Sequence, residues 1–290
     1  KEMNSINLAK WITADIEPNN DSCRMFQRTI KFEKQVKKAV LNITALGLYE
    51  AFVNGKRVGK DYRFLPGWTH YNRRVQYQSF DVTKNIIEEY ADISVYVARG
   101  WFSGHIAGDP DKLHFALACS LDVVYVDETK DSFISCASDE WKAAKTSIVF
   151  SDIYDGETYD ARIKPYDFKP VRLAQGYNPN DIVLQQGEYV KEHEQLSVVK
   201  LIITPKNERV LDFGQNITGY VRFKVKAKKG ERFILSHAEV LDNEGNFYIE
   251  NLRGAKQKIE YISNGGKSEY SPHFSFQGFR YVRLDEWQEN

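Results

Sequence analysis

Three groups of carboxylates are placed by type and spacing to do chemistry: Asp155, Glu157 and Asp160; Asp242 and Glu244; Glu239 and Glu250. Hydrolysis of a glycosidic bond uses two carboxyl groups facing each other across it, one kept protonated by a low-dielectric surround and one charged. Sequence supplies such pairs but not the distances between them. Acidic residues on turns more commonly cap backbone N–H groups, pair with a nearby arginine or face solvent. Arg162 and Arg253 stand close along the chain for that purpose. In Asp155-Gly156-Glu157-Thr158-Tyr159-Asp160-Ala161-Arg162, Gly156 permits a sharp turn, and Glu157 and Asp160 are expected to converge on Arg162 and fix the chain where it leaves a domain.

A second constellation suits sugar binding. Trp68 and Trp101 stand in glycine-punctuated stretches with Asp61, Asp109 and Asp111. An indole face stacks on the apolar face of a pyranose, and the aspartates would accept its hydroxyls or hold Ca²⁺ through oxygen. They do not form an Asp-x-Asp-x-Asp loop, so no metal ligands are assigned, and packing at a core or rim is the competing reading for the tryptophans. His237 and Glu239, two apart on an expected strand, share a face, with Arg253 in range of Glu239 or Glu250. A lone strand histidine is more often structural than a base. No Gly-x-Ser-x-Gly elbow or phosphate loop occurs, and no Cys lies near a suitable His.

The elements that must position these groups alternate at the two-residue period of a sheet. Val221, Phe223 and Val225 fall on one face and Arg222, Lys224 and Lys226 on the other. Lys228 to Glu231 reads as a turn, Arg232 to Glu239 as the next strand and Asp242 to Asn246 as a loop, most simply a meander. In the amino-terminal half, alternation marks strands at 25–32, 40–45, 49–53, 75–82, 93–98, 114–123 and 131–135, with Asn54-Gly55 a hairpin turn and one short helix within 83–90. Pro165 and Pro170 end the first module, with a linker at 163–171 whose Tyr166 and Phe168 are expected to pack on a neighbour. The fold class is all-β, two β-sandwich or jelly-roll domains in tandem, residues 1–165 and 166–290.

Composition removes several function classes. The 40 Lys and Arg balance the 40 Asp and Glu, so no basic field exists to hold nucleic acid or an anionic membrane. Seventeen Tyr, 17 Phe and five Trp suit both strand cores and sugar stacking. Three cysteines leave at least one thiol free, which slightly favours a reducing, cytoplasmic setting; a secreted or periplasmic protein whose leader was removed stays open. No apolar run is long enough for a membrane helix.

The words within this pattern are more specific than its period. Asp212-Phe213-Gly214-Gln215-Asn216, His237 to Asp242, Tyr248 to Arg253 and Phe274 to Val282 together resemble bacterial α-L-rhamnosidases of glycoside hydrolase family 78. Ile43 to Glu50, Asn54-Gly55, Pro66 to Thr69 and Asp155 to Arg162 extend the resemblance over nearly the whole chain. It implies a galactose-binding-like jelly roll followed by a concanavalin-like module. In that family an α-helical barrel follows these β modules and carries the catalytic acid and base. None of the carboxylates above then inherits a catalytic role, and the chain alone is expected to be inactive. The implied partners are rhamnose-containing glycosides and that barrel, against which Gln215, Asn216, His237, Glu239, Asn251 and Arg253 would form a face. The resemblance also implies a calcium-dependent rhamnose-binding module in some members. The alternative is a self-standing carbohydrate-binding protein.

Overall fold

The computed structural model describes residues 4–17, 21–106, 115–175 and 181–287. Strands dominate, and the described helices are single turns, among them Gly100–Ser103 and the expected short helix at Thr83–Asn85. None is long and apolar enough to cross a membrane.

The chain divides into two units. The first comprises Lys1–Ser103, Ala107–Thr146 and Pro165–Glu192; the second comprises Gly104–Ile106, Ser147–Lys164 and His193–Asn290. This differs from a single division at 165/166. Ile148–Asp152 and Gly156–Asp160 form a hairpin whose second strand runs parallel to Lys258–Tyr270, within the second unit. The expected linker is instead the strand Tyr166–Pro170, paired with Lys142–Lys145 in the first unit. Pro170 fits because this is the outermost strand of its sheet, where a missing N–H breaks no ladder, and Pro165 stands just before the strand begins. Tyr166 and Phe168 are exposed, not packed away.

The first unit is two sheets over one core. One sheet is ordered Arg172–Leu173, Ile12–Thr13, Ala116–Tyr125, Val36–Leu46, Arg74–Asp81, Asp181–Leu184, with Lys130–Ile134 added beside Ala116–Tyr125; the other is Tyr166–Pro170, Lys142–Lys145, Arg24–Lys31, Tyr90–Ala98, Leu48–Val53, Lys56–Arg57. Alternation explains the layers. Leu41, Ile43 and Ala45 from the first sheet meet Phe26, Ile30, Ile93 and Val95 from the second in one cluster that also buries Trp141. Asn42, of opposite parity, turns away to Asp122. That buried carboxylate accepts from Asn42 Nδ2 at 2.8 Å, Ser132 Oγ at 2.6 Å and the Ser5 N–H at 3.1 Å, so the polar side of the sheet is satisfied. Asn54 and Gly55 have φ of 48° and 73°, the left-handed pair that a two-residue hairpin turn requires.

The second unit is built on one seven-stranded sheet, ordered Ile148–Asp152, Gly156–Asp160, Lys258–Tyr270, Phe223–Ala238, Gln277–Asp285, Arg209–Gly219, Lys200–Ile203, with a small Val240–Leu241/Phe247–Tyr248 pair beside it. This order is not a meander. Lys228 to Glu231 is not a turn between paired strands either: Phe223–Ala238 is one strand, both halves of which pair with Lys258–Tyr270. Its register slips between Lys229 and Arg232, where Gly230 on one strand and Gly265 and Gly266 on the other have positive φ. The strand bends sharply here. A straight strand would hold Phe223 and Phe233 roughly 33 Å apart, yet their rings lie 5.6 and 5.0 Å from the Trp287 ring. Tyr261 and Tyr270 on the facing strand are likewise only 5.1 Å apart. The single sheet thus folds over on itself and makes both layers of its own core.

Candidate functional site

The acidic motif separates into two opposite environments. Asp160 takes Arg162 in a two-pronged pair, Nε to Oδ1 at 2.9 Å and Nη2 to Oδ2 at 2.7 Å, and these bonds hold its pKa below the ordinary value. Glu157 does not join them. It is fully buried, and its carboxylate accepts from the Tyr270 hydroxyl, the His273 N–H at 2.9 Å and the Phe274 N–H at 3.0 Å. Burial raises its pKa, against the lowering effect of those donors and of His273. Side chains one residue apart in parity point to opposite faces, which is why two acids three apart on a strand do not converge. Gly156 is needed for more than a turn: with φ of 115°, a Cβ there would lie 1.9 Å from the Lys258 carbonyl oxygen of the adjacent strand.

Most of the remaining acids are also engaged. Asp155 accepts from His105 Nδ1 at 3.2 Å, and Asp152 accepts from the His105 N–H at 2.8 Å and the Tyr154 N–H at 2.8 Å. Asp242 caps its own loop, accepting from the Glu244 and Asn246 N–H groups at 3.0 and 2.7 Å, and the Asn246 bond leads in depressing its pKa. Glu239 accepts from Asn251 Nδ2 at 3.2 Å. Arg253 is exposed and pairs with neither Glu239 nor Glu250 among the described residues. His237 is sealed in the core: Nδ1 donates to the Gln257 carbonyl oxygen at 2.7 Å, the ring packs on Phe279, and burial lowers its pKa to about 4. It is therefore a neutral structural imidazole and does not project with Glu239.

The most specific words of the second unit meet through charge. Arg280, from Phe-Gln-Gly-Phe-Arg-Tyr, donates Nε and Nη2 to Asp212 Oδ1 and Oδ2 at 2.8 and 3.0 Å. Asp212 opens the Asp-Phe-Gly-Gln-Asn word and also accepts the Gly214 N–H at 2.7 Å. Neighbouring strands carry the two, with Asp212 opposite Tyr281. Sequence spacing gave no sign of this pairing.

The expected sugar contacts stand on separate segments of the first unit. Trp68 is 52% exposed on the turn after Gly67, with His70 against its ring at 4.9 Å. Trp101 is half-buried on the single-turn helix, and Asp61 is exposed beside Tyr62, whose ring stacks on Tyr189 at 4.2 Å. Asp109 and Asp111 lie outside the described residues. No group of three or more His, Cys, Asp or Glu positioned for a metal occurs among the described residues. A cleft in the first unit is lined by none of these predicted residues; it gathers Asp15, Glu17, Arg24, Lys145, Asp167 and Lys169 instead.

Comparison with known proteins places this geometry. The α-L-rhamnosidase N-terminal domain model matches residues 34–202, and the bacterial α-L-rhamnosidase concanavalin-like domain model matches residues 202–290. An α-L-rhamnosidase of Streptomyces avermitilis is 39% identical over 265 residues, 87% of this chain and 25% of that protein. One from Formosa agariphila is 33% identical over 273 residues, 89% of this chain and 29% of that protein. The crystal structure of the Streptomyces avermitilis enzyme complexed with L-rhamnose matches with a TM-score of 0.87 at 37% identity, covering 93% of this chain and 28% of that one. The native Aspergillus terreus enzyme matches at 0.88 and 32%, covering 97% and 34%. The chain thus spans about a third or less of these relatives. By these matches it belongs to the bacterial α-L-rhamnosidase family, glycoside hydrolase family 78, of which it carries the N-terminal and concanavalin-like domains.

Proposed function

We propose that this chain is a non-catalytic β portion of an enzyme that releases terminal α-L-rhamnose from glycosides, and that it supports a catalytic barrel contributed by the rest of that enzyme. The observation that carries the reading is an apolar row at the edge of the second sheet. Val199, Leu201 and Ile203 alternate on one side of the outermost strand, and all three are exposed, Val199 at 72%. An uncovered apolar edge strand is a surface that a partner covers. Gln215, Asn216, Asn251 and Arg253, also exposed, supply polar groups from the same unit. Asp160 is meanwhile committed to Arg162, Glu157 and Asp155 to backbone N–H groups, Asp242 to its own turn and Glu239 to Asn251. An aryl α-L-rhamnoside assay on the chain alone is expected to give no turnover, while the complete gene product hydrolyses it. Turnover by the chain alone that disappears in Asp160→Asn overturns the proposal.

The exposure of Trp68 favours a second role, carbohydrate contact. Stacking on Trp68 suits a weak monosaccharide site, because an open loop excludes little water, with Trp101 and Asp61 the further candidate contacts. Calorimetry with L-rhamnose, with and without a chelator, tests it. Heat that persists on chelation supports direct hydrogen bonds, and heat lost on chelation supports Ca²⁺. Absence of heat at millimolar sugar leaves structural support as the sole role.

A further inference from the structure

At one mouth of the first unit the two sheets part over a cleft of about 230 Å³. Its floor is made by alternation. Arg24, Phe26 and Ile30 share the inward face of Arg24–Lys31, with Phe26 and Ile30 in the core, so Arg24 extends an apolar row to the open end. Directly across the ladder stand Lys145 and then Tyr166, on the same face. From the opposite sheet, Asp15 and Glu17 follow Ile12–Thr13 into the mouth.

Arg24 is only 4% exposed, and burying a guanidinium is costly unless its donors are met. Nη1 is used, donating to Ser22 Oγ and to the Cys23 carbonyl oxygen at 3.3 Å. Nε and Nη2 have no acceptor among the described residues, and Arg24 lines the cleft. Among the described residues no carboxylate reaches Arg24 within ion-pair distance. Asp167 is shared by Lys145 at 3.8 Å and Lys169 at 3.4 Å, and Asp15 by Arg172 at 3.1 Å. Burial lowers the Arg24 pKa, with Glu17 and Asp167 opposing it from a distance.

We propose that this cleft binds a sugar acid, its carboxylate on the free edge of Arg24 and its hydroxyls on the Asp15 and Glu17 carboxylates. A planar fork with two free donors matches a carboxylate. A bare anion would meet three carboxylates with nothing to offer them, whereas a hydroxylated acid brings both an anion and donors. The volume, below the roughly 300 Å³ at which drug-sized pockets begin, limits the ligand to about one ring. The inference is independent of any rhamnose contact at Trp68.

Titration of the full chain with D-glucuronate, D-glucose and acetate, followed by NMR shifts or calorimetry, tests it. Glucuronate is expected to bind saturably in the millimolar range, with glucose and acetate at least about tenfold weaker, the difference of one charge-assisted contact. Arg24→Lys should lose about tenfold for glucuronate by removing the fork, and Lys169→Ala, at an exposed rim, a few-fold. Should Arg24→Lys fail to fold, Glu17→Gln decides: it is expected to narrow the preference for glucuronate over acetate. Equal binding of all three ligands, absence of saturable glucuronate binding, or indifference to Arg24→Lys, or to Glu17→Gln in its stead, overturns the proposal.

Discussion

The two units reach a layered core by different routes. In the first, separate sheets supply the layers, and a buried acid, Asp122, is met by side chains and backbone on the outer side of a central strand. In the second, one sheet supplies both, because Phe223–Ala238 and Lys258–Tyr270 bend together and close around aromatic rings. The comparison teaches that a core's layers are set by where long strands bend as much as by how many strands there are. A bend also concentrates dependence on the residues it closes upon: Trp287 touches both halves of Phe223–Ala238, while Trp141 is one member of a broad cluster.

Replacing these tryptophans should give the largest effects and tests the difference directly. Trp141→Ala empties a fully buried site and is expected to cost about 4 kcal/mol; Trp287→Ala, at a half-buried ring, about 3 kcal/mol. The first loss should fall on the first unit alone, read as hydrogen-exchange protection of Ala116–Tyr125, and the second on Phe223–Ala238 and Lys258–Tyr270 together. Loss confined to one half of Phe223–Ala238 would show that Trp287 does not hold the bend.

Glu157 and Asp160 carry the comparison down to single side chains. Glu157→Ala leaves three buried or half-buried donors without their acceptor and is expected to cost about 2 kcal/mol, measured by denaturant unfolding. The pH dependences should run in opposite directions. Because the folded pKa of Glu157 is raised, its contribution is full below its unfolded pKa and is lost as pH rises through the folded value. Asp160, with its folded pKa lowered, contributes above its unfolded pKa and loses that contribution as pH falls through the folded value. A Glu157→Ala protein whose stability keeps the wild-type fall with rising pH would contradict the assignment.

Sequence carried the local part of this structure and little of its wiring. Alternation in Phe223, Val225 and their neighbours marked a strand, and Asn54-Gly55 marked a hairpin, because both signals lie within adjacent residues. Partner choice does not. Nothing local says that Gly156–Asp160 lies beside Lys258–Tyr270, or that Lys228 to Glu231 bends a strand instead of turning it, since turn residues and bulge residues share the same backbone freedom. One signal for the cleft was present and unused: Arg24 shares the parity of Phe26 and Ile30, and a charge on the inward face of an alternating strand marks a site where burial is offset by something specific. Asp15, Lys145 and Asp167 join it only through tertiary pairing.

The smallest expected effect lies at the pair that joins the second unit's two most specific words. Asp212 and Arg280 are well formed as a two-pronged contact, yet the arginine side chain is 38% exposed, so solvent screening discounts what the geometry would otherwise contribute. Asp212→Asn is therefore expected to cost no more than about 1 kcal/mol, some of it from the weaker bond to the Gly214 N–H. Its pH signature is sharper than its size. Arg280 leads in holding the Asp212 pKa below the ordinary value, so the wild-type contribution is present above the unfolded pKa and disappears as pH falls through the folded one; Asp212→Asn should flatten that part of the acid limb. If the variant loses stability equally at neutral and low pH, the pair orders Gly214 and its loop by hydrogen bonding, and its charge contributes nothing to the fold.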